Sequence, residues 1–124
     1  MESKKIYLIL ATVAVIGGFI VWGLNQPEEE VSKPVNEIVY YYGEECPHCQ
    51  DVAKFLEENN IAEKVSFSKK EVWSNQGNKN EMNDRARECG LDISNIGVPF
   101  LYTRGECLIG TPNVTEFFKK EAGL

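Results

Sequence analysis

The chain has 124 residues and a formal charge of −6, its 13 basic residues interspersed with 19 acidic ones. That length holds one membrane segment and one small single-core domain, and little more. An acidic chain without a basic stripe offers no surface to phosphate backbones, which excludes nucleic acid as a partner.

Ile6 to Leu24 is an unbroken apolar run free of charge. At about 1.5 Å per residue, a helix of this length nearly matches the roughly 30 Å hydrocarbon core of a bilayer. Residues 1–24 are therefore expected to be a transmembrane anchor, with Trp22 at the interface. Lys4 and Lys5 precede the run and Glu28, Glu29 and Glu30 follow it. The positive-inside rule then leaves the N-terminus in the cytoplasm and the remainder outside, periplasmic or at the cell surface. A cleaved signal peptide would need a shorter apolar region and a small-x-small site, and Val21-Trp22-Gly23-Leu24-Asn25 offers none. Residues 25–35, with two prolines and a glutamate triplet, have no apolar period and read as an extended linker.

Residues 36–124 then alternate short strands and helices. Ile38 to Tyr42 is β-branched and aromatic on both faces, as in a central strand covered on both sides. Pro47 to about Asn59 places Cys49, Val52, Ala53 and Leu56 on one helical face, so this helix should lie against the sheet. Val65 to Ser68 alternates as a second strand, and Val72 to Asn80 reads as a loop in which Trp73 packs locally. In the next helix Met82, Ala86 and Cys89 share the inward face, and Gly90 stands where a left-handed C-cap belongs, with Leu91 as its apolar contact. Val98 to Thr103 is a third strand, Arg104-Gly105-Glu106 a tight turn, and Cys107 to Ile109 a fourth strand, antiparallel to the third. Asn113 is expected to cap a final helix, with Glu116 completing a capping box and Val114, Phe117 and Phe118 inward.

The segment richest in chemistry is Cys46-Pro47-His48-Cys49, where the first strand gives way to a helix. Cysteines three apart across a first helical turn are close enough to bridge, and Pro47 suits the first helical position. Cys46 falls at the N-cap, where free backbone N–H groups and the helix dipole favour a sulfur anion, the species that attacks or leaves in disulfide exchange. His48 adds a donor or positive charge near Cys46, which stabilises the reduced form and makes the disulfide more oxidising. Glu44, Glu45 and Asp51 act in the opposite sense, weakened by solvent. The other uses of such a pair fit less well. Zinc needs four ligands, and Cys89, Cys107 and His48 are spaced irregularly. Covalent haem needs histidine after the second cysteine, and Gln50 is there. A purely structural bridge would close too small a loop to stabilise much.

The order β-α-β-α-β-β-α, with Cys46-Pro47-His48-Cys49 at the first strand-to-helix junction and Gly97-Val98-Pro99-Phe100 opening the third strand, resembles the thioredoxin superfamily in its minimal glutaredoxin-like form. The Pro-His dipeptide resembles that of the DsbA-type oxidases. The resemblance covers about residues 36–124 and implies an α/β fold, a four-stranded mixed sheet with flanking helices, preceded here by the single transmembrane helix. It implies that Pro99 is cis and lies against the dithiol, and that the Val98 backbone pairs with an extended stretch of substrate. Two departures stand out. Glu44 and Glu45 replace the tryptophan that thioredoxins carry before the first cysteine. Gly110-Thr111-Pro112-Asn113 lacks the second glycine and the acid of the glutathione-binding element, so glutathione dependence is not implied.

In this fold Cys107 lies on an edge strand and Cys89 on the buried face of the second helix. They are either two small buried residues, a second redox relay, or a structural disulfide. The last is preferred, since outside the cytoplasm it would add roughly 3 kcal/mol to a small core.

These readings lead to a membrane-anchored, extracytoplasmic thiol-disulfide oxidoreductase acting on protein cysteines, with Cys46, Cys49, His48 and Pro47 at its centre and Val98 and Pro99 facing substrate. Oxidation or isomerisation is favoured over reduction, a membrane or extracytoplasmic redox partner recycles the dithiol, and neither a cofactor nor a metal is required. The alternative is a thioredoxin-fold binding module that holds a partner protein or a metal ion on the same two thiols without turnover.

Overall fold

The computed structural model describes residues 2–24 and 36–124, the side chains of residues 23 and 24 excepted. The linker expected over 25–35 lies outside the described residues. The chain divides into two units, residues 1–32 and 33–124.

The first unit contains one helix, α1 (Glu2–Leu24), long and apolar enough to cross a membrane, with a mean hydropathy of 2.1 over an 18-residue window. The large apolar side chains described on it, such as Ile9, Phe19 and Trp22, are exposed. A bilayer is one solvent that would accept such a surface.

The second unit runs β1 (Ile38–Tyr42), α2 (Pro47–Glu58), α3 (Ile61–Lys64), β2 (Ser68–Glu71), α4 (Gln76–Glu88), β3 (Phe100–Thr103), β4 (Glu106–Ile109) and α5 (Thr111–Glu121). The strands form one mixed sheet in the order β2-β1-β3-β4. β1 pairs parallel with β2 and antiparallel with β3, and β3 pairs antiparallel with β4. The central place of β1 follows from its sequence, because successive residues feed opposite cores. Tyr40 packs with Val52 and Leu56 of α2 and with Val114 and Phe118 of α5. Tyr41 packs on the other face with Met82 and Ala86 of α4 and with Phe100. Edge-to-face contacts, Tyr40 on Phe118 at 6.3 Å and Tyr41 on Phe100 at 5.8 Å between ring centres, anchor the two layers.

The short helix α3 is an addition to the order read from sequence, β3 starts at Phe100 and not Val98, and β4 starts at Glu106 and not Cys107. Three further differences each have a physical reason. The second strand is Ser68–Glu71, not Val65–Ser68, because α3 precedes it and Val65 closes that turn, its N–H bonded to the Ile61 carbonyl. β2 is an edge strand, so its polar residues cost little. The stretch expected as a loop as far as Asn80 is helical from Gln76, since Asn75 caps it by accepting the Asn78 N–H at 3.0 Å. That polar helix docks through charge and ring contacts. The Tyr41 hydroxyl donates to Glu81, which also pairs with Lys70 at 2.7 Å, while buried Arg85 pairs with Glu37 at 2.8 Å and lies over the Tyr102 ring. Asn113 does not cap the last helix. Gly110 occupies that place, Pro112 falls in the first turn, and the Asn113 amide donates to the Ile109 carbonyl. The close of α4 is as read: Gly90 has φ +72°, and Leu91 N–H bonds to the Ala86 carbonyl.

Candidate active site

The end of β1, the start of α2, the Val98-Pro99 peptide and the start of α5 meet at one end of the sheet. Cys46 is the N-cap of α2 and Pro47 its first residue. The Cys46 sulfur accepts the N–H of Cys49 at 3.3 Å, and its thiol faces the Val98 carbonyl at 3.8 Å. Val98-Pro99 is cis. The Pro99 carbonyl accepts the Gly110 N–H at 3.0 Å, and the Thr111 hydroxyl donates to the His48 carbonyl at 3.2 Å. The start of α5 thus fastens both the proline loop and the first turn of α2. His48 itself is exposed.

Cys46 and Cys49 are free thiols in residues that are nearly covered, 5 % and 3 % exposed. Burial is the main influence that pushes the Cys49 thiol up to about 11, and the neighbouring Cys46 side chain adds to it, while the Gly43 backbone and the Tyr40 hydroxyl pull the other way. Cys49 is therefore held protonated at neutral pH. Its flank is reached from solvent by a cavity of about 250 Å³ between Tyr42, Glu44, Gln50 and Lys69.

A raised thiol also makes stability depend on pH. The folded state holds the Cys49 proton more tightly than the unfolded chain does, so its contribution is complete below the unfolded value near 9 and lost as pH rises through about 11. Reduced protein is expected to lose roughly 2 kcal/mol across that window relative to a Cys49→Ala variant. Urea unfolding at stepped pH measures the difference; parallel curves for the two proteins would contradict it.

The sequence reading overlooked a brace at Gly43, whose carbonyl accepts the Cys46 N–H at 3.2 Å. Gly43, one residue after β1, lies flat under the Trp73 indole, and a side-chain carbon there would collide with the ring. Trp73 does pack, but across 30 positions and not within its own loop. Its backbone is fixed by Glu71, whose carboxylate accepts the N–H groups of Trp73 and Ser74, both at 2.8 Å, and the Ser74 hydroxyl at 2.6 Å. The Ser74 hydroxyl is the chief reason why the Glu71 carboxyl is lowered to about 2, and the Glu44 backbone also contributes. A lone glycine between a strand and a Cys-x-x-Cys was the available signal, since such glycines often mark close approach. Gly43→Ala is expected to displace the indole at a cost of about 1–3 kcal/mol, seen as altered tryptophan emission and a lower urea midpoint. Unchanged values for both would remove the brace.

Cys89 and Cys107 are joined as a disulfide between the end of α4 and β4, with Cα atoms 6.1 Å apart. Among the described residues, no group of three or more His, Cys, Asp or Glu side chains is placed to hold a metal ion.

No family model matches the chain, and no curated protein matches it. Among solved structures, a wheat glutaredoxin aligns at 19 % identity with a TM-score of 0.49, covering 69 % of this chain and 74 % of that one. A buckwheat glutaredoxin in complex with glutathione aligns at 18 % identity and a TM-score of 0.47, covering 71 % of each chain.

Proposed function

We propose that this chain is a membrane-anchored thiol-disulfide oxidoreductase that acts on protein cysteines outside the cytoplasm. The observation that carries the reading is the Cys46–Cys49 pair itself: two free thiols on one helical turn, with the Cys49 N–H directed at the Cys46 sulfur. An N–H donor in this place can hold the negative charge that develops on the Cys46 sulfur as bonds to it form and break. Cys46 is then the attacking and attacked sulfur, and Cys49 the leaving and resolving one. In the oxidising direction a substrate thiolate attacks Cys46, the Cys46–Cys49 bond breaks and Cys49 departs; a second substrate thiol then resolves the mixed disulfide, giving substrate disulfide and reduced enzyme. The reducing direction runs the same steps backwards. Val98 and Pro99, beside the Cys46 thiol, present the backbone against which an extended substrate segment would lie.

The anchor is α1, oriented with Lys4 and Lys5 in the cytoplasm. A membrane or extracytoplasmic redox partner recycles the dithiol. The preference for oxidation or isomerisation rests on His48, whose imidazole would stabilise the reduced form. His48→Pro is expected to lower the redox potential by at least about 30 mV, near 1.4 kcal/mol, in equilibrium with glutathione; an unchanged potential would take the histidine out of the mechanism. The full chain in detergent should both reduce insulin and reoxidise a reduced, unfolded disulfide protein, and a Cys46→Ser variant should do neither. Wild-type protein inactive in both assays would overturn the reading.

A further inference from the structure

The Tyr40 side chain is fully buried, and its hydroxyl makes no hydrogen bond among the described residues. An orphaned hydroxyl in a core is costly enough to call for a reason. Tyr40 packs against Val52 and Leu56, which follow Cys49 on the buried face of α2, and after burial the strongest influences on its phenol are the sulfurs, Cys49 first and then Cys46. The relation is mutual, for Tyr40 is one of the two groups that favour the Cys49 anion. Cys49 needs such help. It is nearly buried, and its anion must form in either direction of exchange, as leaving group or as resolving nucleophile. The other ionisable groups around the sulfur are Cys46 at the start of α2, Tyr42 on β1, and Glu44 and Lys69 along the cavity on its flank. Glu44 and Lys69 are exposed to solvent, which screens them.

We propose that Tyr40 is a positioning residue for the proposed exchange reaction, its buried hydroxyl serving as the hydrogen-bond donor that receives the Cys49 sulfur when that sulfur becomes an anion. The idea rests on the redox reading of Cys46 and Cys49. In the resting dithiol the hydroxyl faces the Cys49 side chain but lacks a hydrogen bond of full geometry. When Cys46 is joined to a partner thiol, Cys49 loses its proton to solvent and its sulfur accepts the Tyr40 O–H. It then attacks the Cys46 sulfur, so that the Cys46–Cys49 bond forms and the partner departs as a thiolate that takes a proton from water. In the oxidising direction a substrate thiolate breaks the Cys46–Cys49 bond and the departing Cys49 anion accepts the same O–H. Tyr40 keeps its own proton throughout.

The test is Tyr40→Phe in the full chain. Reduced protein is mixed with oxidised glutathione, quenched in acid at intervals and weighed, which separates formation of the Cys46–glutathione mixed disulfide from its resolution by Cys49. The expected result is an unchanged first step, a resolution step about tenfold slower at neutral pH, and a pH profile of resolution moved up by about one unit. A purely structural Tyr40 would alter the melting curve but not that profile; Phe keeps the ring contact with Phe118 and removes an unpaired polar atom, so resting stability should not fall. If the Phe variant does not fold, Tyr40→Met carries the same comparison. Resolution with wild-type rate and pH dependence in a folded variant would overturn the role of Tyr40, whereas failure of wild-type protein to form any mixed disulfide would instead overturn the redox reading beneath it.

Discussion

Cys49→Ser is expected to leave discrete proteins covalently held on Cys46 when the full-length chain is expressed in cells, released by reductant and absent from a Cys46→Ser, Cys49→Ser double variant. Exchange proceeds through a mixed disulfide whose lifetime is set by the resolving thiol. Here that thiol lies one helical turn from Cys46, and its removal leaves the mixed disulfide dependent on slower external thiols. Serine fits the site, since Cys49 contributes a small side chain at the edge of a core built by Val52, Leu56 and Tyr40. The effect should be large: turnover falls by orders of magnitude, while Cys46 still reacts once. Non-reducing electrophoresis followed by mass spectrometry identifies the trapped proteins, and thus the substrate class and the recycling partner. Absence of any reductant-sensitive adduct would favour the alternative in which the two thiols only hold a ligand.

Removing the Cys89–Cys107 bridge is the second large effect. The bond joins residues 18 apart and ties the end of α4 to the edge strand β4. In the chain-entropy view, a loop of that size restrains the unfolded chain by about 3 kcal/mol. Small domains have about 5–15 kcal/mol in total, so the loss is a substantial fraction. α4 is the element most exposed to it, because it buries only Met82, Arg85 and Ala86 and otherwise holds to the sheet by ion pairs and hydroxyl contacts. Cys89→Ala with Cys107→Ala is therefore expected to lower the urea midpoint strongly while leaving Cys46 and Cys49 reactive. An unchanged midpoint, or free thiols at both positions in non-reduced wild-type protein, would contradict the structural role.

What could be read from sequence was whatever a local pattern dictates. The two-sided apolar run of β1 fixed its central place, the Cys-Pro-x-Cys spacing placed Cys46 at the N-cap, and Gly90 closed α4 as the left-handed residue its position requires. The misses are of another kind. α4 begins in Gln76-Gly77-Asn78, which has poor helix propensity, and is held by a side-chain cap and by partners on β1 and β2 that no window along the chain reveals. Gly110 displaced Asn113 as the start of α5 because Pro112 fits the first turn and the preceding strand ends only at Ile109. The brace of Gly43, Trp73 and Glu71, and the orphaned Tyr40 hydroxyl beside Cys49, are products of tertiary contact alone.

Whether Cys46 and Cys49 interconvert reversibly between dithiol and disulfide decides the rest. The most direct measurement equilibrates the full chain in glutathione buffers of graded potential, quenches with acid, alkylates, and weighs the peptide carrying both cysteines. A single two-electron transition confined to this pair, at a potential above about −300 mV and with Cys89–Cys107 unaffected, is the expected result. A pair that remains fully reduced, or fully bridged, across the whole range would contradict it.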